Sequence, residues 1–549
     1  MVFKAERHID IPTKDILSYI FDKPEYDQNK PIYIDVHNPS RSISCNQARS
    51  IIRKLIAGFR AAGVKEGDCI AIHSFNDILY CMLVLAIIGV GGVYTGTNPT
   101  YTTAELSHHI KTSKSKFLVS EPEILESLLG AAKENNVPLE NIWIFDPLGQ
   151  PIPSGHKSWR ELLNLGEQDW ICFDDAQNAK TRPAARLFSS GTTGLPKGTN
   201  LTHYNLISQH ELTTKAHPRP HAISRVVALP MFHAAAAPST NISALASGEV
   251  IYMMRRFELQ TFLRATEKYG ATEMAVVPPI VLAIVMSPFS RTRPFMKSIR
   301  AVSCGAAPLD KGLQARLLEF LEPGVPFNQV WGMTETSCVA TMFGYPEKDD
   351  TGSVGRLIPN LEAKLIDDGG NDISAYGVRG EICVRGPTII PGYFENPKAN
   401  AESFDKDGYF KTGDIGYCDE ATRKWYIVDR KKELIKVRGF QVAPPELEAV
   451  LLSHPQIVDA AVIGVPHPSG DGEAPRAYIV RRPGTEGEKL TEEEVKTYLG
   501  SRLAKYKALI GGVKFVDAIA KNPSGKILKR LLREESKKEF EAGLSKSKL

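Results

Sequence analysis

Apolar positions recur along the chain with a spacing that switches between that of a helix and that of a strand. Over 47–62, Ile51, Ile52, Leu55, Ile56 and Phe59 form a stripe beside Arg49, Arg53, Lys54 and Arg60, which predicts a half-buried helix. Residues 68–73 predict a short strand after a glycine turn, 77–88 a helix and 90–95 a strand. The most apolar stretch, 79–94, is only about 16 residues long and holds Gly89, Gly91 and Gly92. It fits a buried helix running into a strand or turn better than a membrane span. The alternation continues with strands at 116–119 and 141–145 around a helix at 121–134. Further strands are expected at 184–188, 226–229, 250–253, 274–277 and 299–303, with helices at 258–269 and 311–321. Strands separated by helices predict a mainly parallel α/β architecture.

From 363 to 384 the pattern changes to shorter strands divided by Asp367-Asp368-Gly369-Gly370 and Tyr376-Gly377, a β-rich subdomain. A boundary is expected near Asp429-Arg430-Lys431-Lys432. Beyond it lie a helix at 444–453, strands at 460–465 and 476–482, a helix at 491–503 and a strand at 513–516. That is enough for a small α+β domain, and 549 residues exceed a single core.

Composition narrows the function classes. The chain is 42% hydrophobic and 24% charged, and its +4 formal charge comes from 67 basic against 63 acidic residues. That near balance gives no argument for nucleic acid. The cysteines at 45, 69, 81, 172, 304, 338, 383 and 418 show no Cys-x-x-Cys spacing, so buried free thiols are expected rather than a zinc site or a disulfide framework. The histidines form no His-Glu-x-x-His arrangement, and the adjacent His108 and His109 read as structural. Lys4, Glu6, Arg7 and Asp10 without an apolar run behind them are unlike a standard signal peptide. Ser547-Lys548-Leu549 is the tripeptide read by the peroxisomal import receptor, at the end where it is read. A peroxisomal location is expected; a plain soluble tail is the alternative.

The strongest local signal is Ser189-Ser190-Gly191-Thr192-Thr193-Gly194-Leu195-Pro196-Lys197-Gly198. Glycines bring backbone N–H groups close to an anion, hydroxyls add neutral donors, and Lys197 supplies a point charge suited to phosphate. The spacing is not that of the Walker loop. An ordinary surface turn would explain the glycine and serine but not the lysine among them.

Six further segments occur in a fixed order. They are Ser303-Cys-Gly-Ala-Ala-Pro-Leu309, Gln329-Val-Trp-Gly-Met-Thr-Glu335, Tyr409-Phe-Lys-Thr-Gly-Asp414, Asp429-Arg-Lys-Lys-Glu-Leu-Ile-Lys436, Gly439-Phe-Gln-Val-Ala-Pro-Pro-Glu446 and Pro523-Ser-Gly-Lys526. Together they resemble the adenylate-forming superfamily of acyl-CoA synthetases, luciferases and peptide-synthetase adenylation domains, most closely its 4-coumarate-CoA-ligase-like branch. The resemblance spans roughly residues 30 to 530. It implies a large α/β N-terminal domain with stacked sheets and a β-rich subdomain over 1–428, a hinge at 429–432, and a small mobile α+β domain over 433–549. It also implies ATP, Mg²⁺ and CoA as reaction partners of a carboxylic acid.

The resemblance assigns roles by position. Ser189, Ser190, Gly191, Thr192, Thr193, Gly194 and Lys197 would hold the β- and γ-phosphates. Thr334 would contact the α-phosphate, and Glu335 would hold Mg²⁺. Gly305, Ala306 and Ala307 would line one side of adenine and Trp331 would stack on its face, with Gln329 and Gly332 also in the nucleotide site; Asp414 would hold the ribose, and Arg430 the ribose or the hinge. Lys526 would bridge carboxylate and α-phosphate without needing a shifted pKa. Lys432 would be the hinge, and Lys436 and Gly439 would approach the site only for thioester formation. Relatives commonly carry Lys-Gly where this chain has Arg438-Gly439, and tyrosine where it has Trp331.

His233, in Pro230-Met-Phe-His233-Ala-Ala-Ala-Ala237-Pro-Ser239, resembles the histidine beside the substrate carboxylate. With it, Ala235, Ser239, Gly305, Trp331, Ser337 and Cys338 would form the acyl wall. Ala235 stands where 4-coumarate ligases often have tyrosine, which favours a medium-chain fatty acid or an arylalkanoic acid over a hydroxycinnamate. A CoA ligase is the expected activity. A carrier-protein-directed adenylating enzyme, a luciferase-like oxygenase and a non-catalytic scaffold stand as alternatives.

Overall fold

The computed structural model of the chain describes residues 1–189, 196–437, 440–467, 472–522 and 525–546. Its largest sheet has seven strands, in the spatial order Lys197–Thr202, Pro183–Ser189, Val93–Thr97, Cys69–His73, Ser115–Ser120, Ile142–Ile144 and Lys157–Ser158. All neighbours are parallel except the first two, which form an antiparallel hairpin at the sheet edge. The expected parallel core is present, and the phosphate segment links the two strands of that edge hairpin.

Local chemistry explains the helices that cover this sheet. Cys45–Ala61 starts at a capping box in which Ser44 and Gln47 satisfy each other's backbone N–H groups, an arrangement worth about 1 kcal/mol. Its face of Ile52, Leu55, Ile56 and Phe59 is fully buried. The helix Ile78–Gly89 is buried on almost every side, so it carries no stripe, as a core helix requires. Among the described residues no helix is long and apolar enough to cross a membrane.

A three-stranded parallel sheet, Glu273–Val276, Ala301–Cys304 and Phe327–Gln329, aims its C-terminal ends at the loops 305–309 and 330–336. A mixed four-stranded sheet joins Ser224–Val227, Val250–Met253, Pro31–Asp35 and Ser42–Ser44. The β-rich part is a five-stranded antiparallel sheet containing Glu362–Ile366, Gly380–Arg385, Phe410–Cys418 and Trp425–Arg430, with the N-terminal strand Phe3–Lys4 added at one edge.

After Arg430 the chain builds a smaller α+β unit. Ile457–Pro466, Glu473–Arg481 and Val513–Phe515 form its main sheet, covered by Pro444–Leu452, Glu492–Gly500 and Lys529–Lys546. The last helix is held by ion pairs from Arg476 and Lys514 to Glu539 and by burial of Leu532. Its Lys/Glu-rich sequence carried no periodic signal. Of the cysteines, Cys172 is exposed, contrary to the expectation of burial, because it follows Trp170 in an irregular surface segment; Cys338 is half-buried and the others are buried.

Candidate active site

Several loops converge where the parallel strands end. Ser189 closes one strand of the edge hairpin and lies opposite Lys197, which opens the other. Ser190, Gly191, Thr192, Thr193 and Gly194 lie outside the described residues. The Lys197 ammonium sits 4.6 Å over the centre of the Tyr393 ring.

The loop 305–309 follows Ala301–Cys304. Ala306 has φ +69°, and a Cβ on Gly305 would come within 2.9 Å of the Val330 side chain, so this turn requires small residues. Gln329 does not face outward. Its amide oxygen accepts from Leu309 N–H at 2.9 Å and its nitrogen donates to the Leu309 carbonyl at 3.4 Å. It shapes the 305–309 loop instead of presenting itself as a ligand contact.

Trp331 is buried and donates its indole N–H to Asp414 Oδ2 at 2.8 Å. Arg430 Nε stands 3.4 Å from Asp414 Oδ1, because Asp414 and Arg430 are cross-strand partners. Two cationic or N–H donors therefore fix a buried carboxylate whose oxygens keep further lone pairs for hydroxyls. At Gly332 a Cβ would lie 1.7 Å from the Cys338 carbonyl oxygen, so only glycine lets the loop fold back this tightly.

Thr334 and Glu335 lie in the 3₁₀ turn Thr334–Thr336 and are both buried. Glu335 Oε1 accepts from the Tyr393 hydroxyl at 2.8 Å, and its second oxygen has no hydrogen-bond partner among the described residues. Ser337 has φ +61° and donates its hydroxyl to the Thr388 carbonyl at 2.6 Å, so it lends the acyl wall no free donor. Burial pushes the Cys338 thiol up to about 12, leaving it a neutral apolar group.

His233 lies in the irregular turn before the helical segment Ser239–Ser243. Ala235 N–H donates to its Nδ1 at 3.1 Å, which leaves the proton on Nε2. Burial pulls its pKa down to about 4, so the ring is neutral and can donate through Nε2. Ser239 donates to the Ala236 carbonyl at 3.0 Å and closes the same turn.

Lys526 belongs to the small unit, yet it reaches this site. Its loop turns at Gly525 (φ +82°), where a Cβ would fall 2.4 Å from Pro279 of the large unit. Asn522 accepts from Lys526 N–H at 2.8 Å. Burial first, then repulsion from Arg430, pull the ammonium down to about 8, partly opposed by Asp414 and Glu433. The role expected of Lys526 needs no such shift; the lowering reflects desolvation beside a second cation. Lys436, by contrast, is exposed, and Gly439 lies outside the described residues. Lys432 is exposed, while its neighbour Lys431 pairs with Glu381 at 3.0 Å.

Tyr393 was missed by sequence reasoning, and Asp429 was read only as part of the hinge segment. Each acts through partners remote in sequence, and only the Tyr393-Phe394 aromatic pair after a Pro-Gly turn hinted at a built loop. A cavity of about 370 Å³ opens between the two units, lined by Phe75, Phe232, Arg255, Arg256, Lys521 and Gly525 among others.

The buried Asp414, held by Trp331 and Arg430, and Lys526 from the second unit thus meet at one site. The chain belongs to the AMP-binding enzyme family, which matches residues 21–394, and its C-terminal domain family matches 446–526. It is similar to the phenylacetyl-CoA ligase epaB of Aspergillus niger, with 54% identity over 541 residues covering 97% of this chain and 99% of that one. The acyl-CoA ligase azaF of Aspergillus niger is also 54% identical, over 97% of this chain and all of that one. Among solved structures, ATP-bound MatB from Rhodopseudomonas palustris is 28% identical with a TM-score of 0.83, covering 96% of this chain and 99% of that one. The same protein without nucleotide scores 0.73. The activity is AMP-forming acid–CoA ligation through an acyl-adenylate, with ATP and CoA as co-substrates.

Proposed function

We propose that this ligase takes an arylalkanoic acid of about phenylacetate size and works in the peroxisome. The observation that carries the acid class is the alanine run beside His233. Ala234, Ala236 and Ala237 are buried and Ala235 half-buried, so this turn is apolar and contributes no bulky side chain. The likeness to a phenylacetyl-CoA ligase supports the same reading.

In this reading the acid is held by its carboxylate against His233 Nε2–H. One carboxylate oxygen attacks the α-phosphorus of ATP and pyrophosphate leaves. Thr334 donates to the α-phosphate, Lys197 counters the departing phosphates, and Asp414 with Arg430 fixes the ribose. Lys526 draws carboxylate and α-phosphate together and stabilises the charge that builds between them. Glu335 suits Mg²⁺, a hard cation, because it is a buried carboxylate with one oxygen still open. Among the described residues no group of three or more His, Cys, Asp or Glu could hold a metal, so phosphate oxygens and water would complete the shell. When bound, the ion would offset charge on the triphosphate.

The second step needs another face of the small unit. Rotation about Lys432 would withdraw Lys526 and bring Lys436 and Gly439 to the site. The large-unit wall of the inter-unit cavity, uncovered by that rotation, would then face the CoA, with Arg255 and Arg256 near its phosphates. The CoA thiolate would attack the acyl carbon and AMP would leave.

A kcat/KM series over phenylacetate, cinnamate, coumarate and C2–C10 fatty acids tests the acid class. Phenylacetate should lead, and Ala235→Tyr should lower it at least about tenfold while sparing the smallest acids. A lead for octanoate would move the assignment to medium-chain fatty acids. An unchanged profile in the variant would take Ala235 out of the wall. Ser547, Lys548 and Leu549 lie outside the described residues; the peroxisomal reading rests on their sequence. Deleting them should leave purified activity intact and move the protein to the cytosol, whereas continued import would assign the address elsewhere.

A further inference from the structure

The loop after the strand Gly380–Arg385 is fastened to the phosphate hairpin. Asn200 N–H donates to the Gly392 carbonyl at 3.0 Å, Phe394 N–H to the Gly198 carbonyl at 2.9 Å, and Tyr393 bridges to Thr199. Asn400 clamps Tyr393 from the other side. Its Oδ1 accepts from Tyr393 N–H at 2.7 Å and its Nδ2 donates to the Tyr393 carbonyl at 3.0 Å. The backbone of Tyr393 therefore has little freedom, and its buried side chain points one way.

That side chain touches both charged ends of the triphosphate site. Its hydroxyl donates to Glu335 Oε1 at 2.8 Å, and its ring face lies 4.6 Å from the Lys197 ammonium. A neutral phenol must donate here, because the carboxylate can only accept. The bond turns the second oxygen of Glu335 in a fixed direction. The ring face gives Lys197 a favourable resting place that does not compete with phosphate as a carboxylate would.

We propose that Tyr393 is a positioning residue that fixes Glu335 and Lys197, across the hairpin and the 3₁₀ turn, for Mg·ATP. The inference rests on the proposed roles of those two residues. Phenylalanine removes only the hydroxyl; leucine removes the ring as well.

Calorimetric titration of the full-length protein without acid reads the effect directly. Tyr393→Phe should weaken Mg·ATP binding about tenfold, as for one hydrogen bond to a charged group. It should leave AMP and metal-free ATP unchanged, because neither uses the Glu335 cation site. Tyr393→Leu should weaken metal-free ATP as well, by about threefold, through Lys197. Equal losses for AMP and Mg·ATP would mean that the loop merely supports the fold, and the proposal would fall. Unchanged or tighter Mg·ATP binding in Tyr393→Phe would overturn it too. Glu335→Gln is the control for the reading beneath it. If that variant binds Mg·ATP normally, Glu335 is not the metal residue and the proposal falls with it; if only the tyrosine variants are silent, the positioning role alone is wrong.

Discussion

Trp331 and Asp414 are 83 residues apart in the chain and joined by one hydrogen bond. Beside presenting an aromatic face, as tyrosine would, the indole orders the Asp414 carboxylate through its N–H; in the proposed reading these are the adenine and ribose contacts. Trp331→Phe keeps the ring and deletes the donor. We predict that AMP binding weakens about five- to tenfold, the worth of one charge-assisted bond, and that discrimination against 2′-deoxy-AMP narrows. Wild-type affinity for both nucleotides would show that the bond is idle. Residues whose proposed role follows from their own motif, such as Lys197, Asp414 and Lys526, were singled out in the sequence. Those whose role depends on a distant partner were not. Gln329 turned inward to Leu309, Ser337 to Thr388, and Tyr393 went unnoticed because Glu335 lies 58 residues away.

Among elements, the strand Trp425–Arg430 leads from the large unit into the hinge, and near its end it carries Asp429. Asp429 Oδ1 accepts from Arg430 N–H, whereas Oδ2 is buried with no hydrogen-bond partner among the described residues. Burial pushes this carboxyl up to about 7; Lys529 of the last helix lowers it, and Glu448 and Glu433 raise it further. Lys529 and Glu433 are themselves paired, with Glu448 at 2.9 Å and Arg533 at 2.6 Å. The docked arrangement therefore binds the Asp429 proton more tightly than a solvated carboxylate does. By linkage, docking is favoured at lower pH and weakens as pH rises through about 7, by at most about tenfold per unit. Fluorescence transfer between labels on the two units should show more opening from pH 6 to pH 8, and Asp429→Asn should flatten the curve. A pH-independent or reversed signal in the wild type would refute this coupling. The sequence could not show such a device. Periodicity revealed the amphipathic helices and the apolar core helix, but not the antiparallel edge hairpin, the pairing of Phe3 with Ala363, or the polar helix Lys529–Lys546.

On the scale of the whole molecule, one orientation of the small unit is captured. Gly525 packs on Pro279, and Lys526 feels the charges of Arg430 and Asp414, while Lys436 stays exposed. The α/β body, the β-rich part and the small α+β unit were all legible, because each has its own hydrophobic period. How they meet was not, since it depends on a few loop contacts between remote residues. The central claim is that Lys526 serves the first half-reaction only and gives way to another face for the second. Quench-flow measurement of both half-reactions in Lys526→Ala tests it most directly. Acyl-adenylate formation from acid and ATP should fall by about 10² or more, while thioester formation from supplied acyl-adenylate and CoA stays within a few-fold of wild type. Equal slowing of both half-reactions in a folded variant would contradict the account.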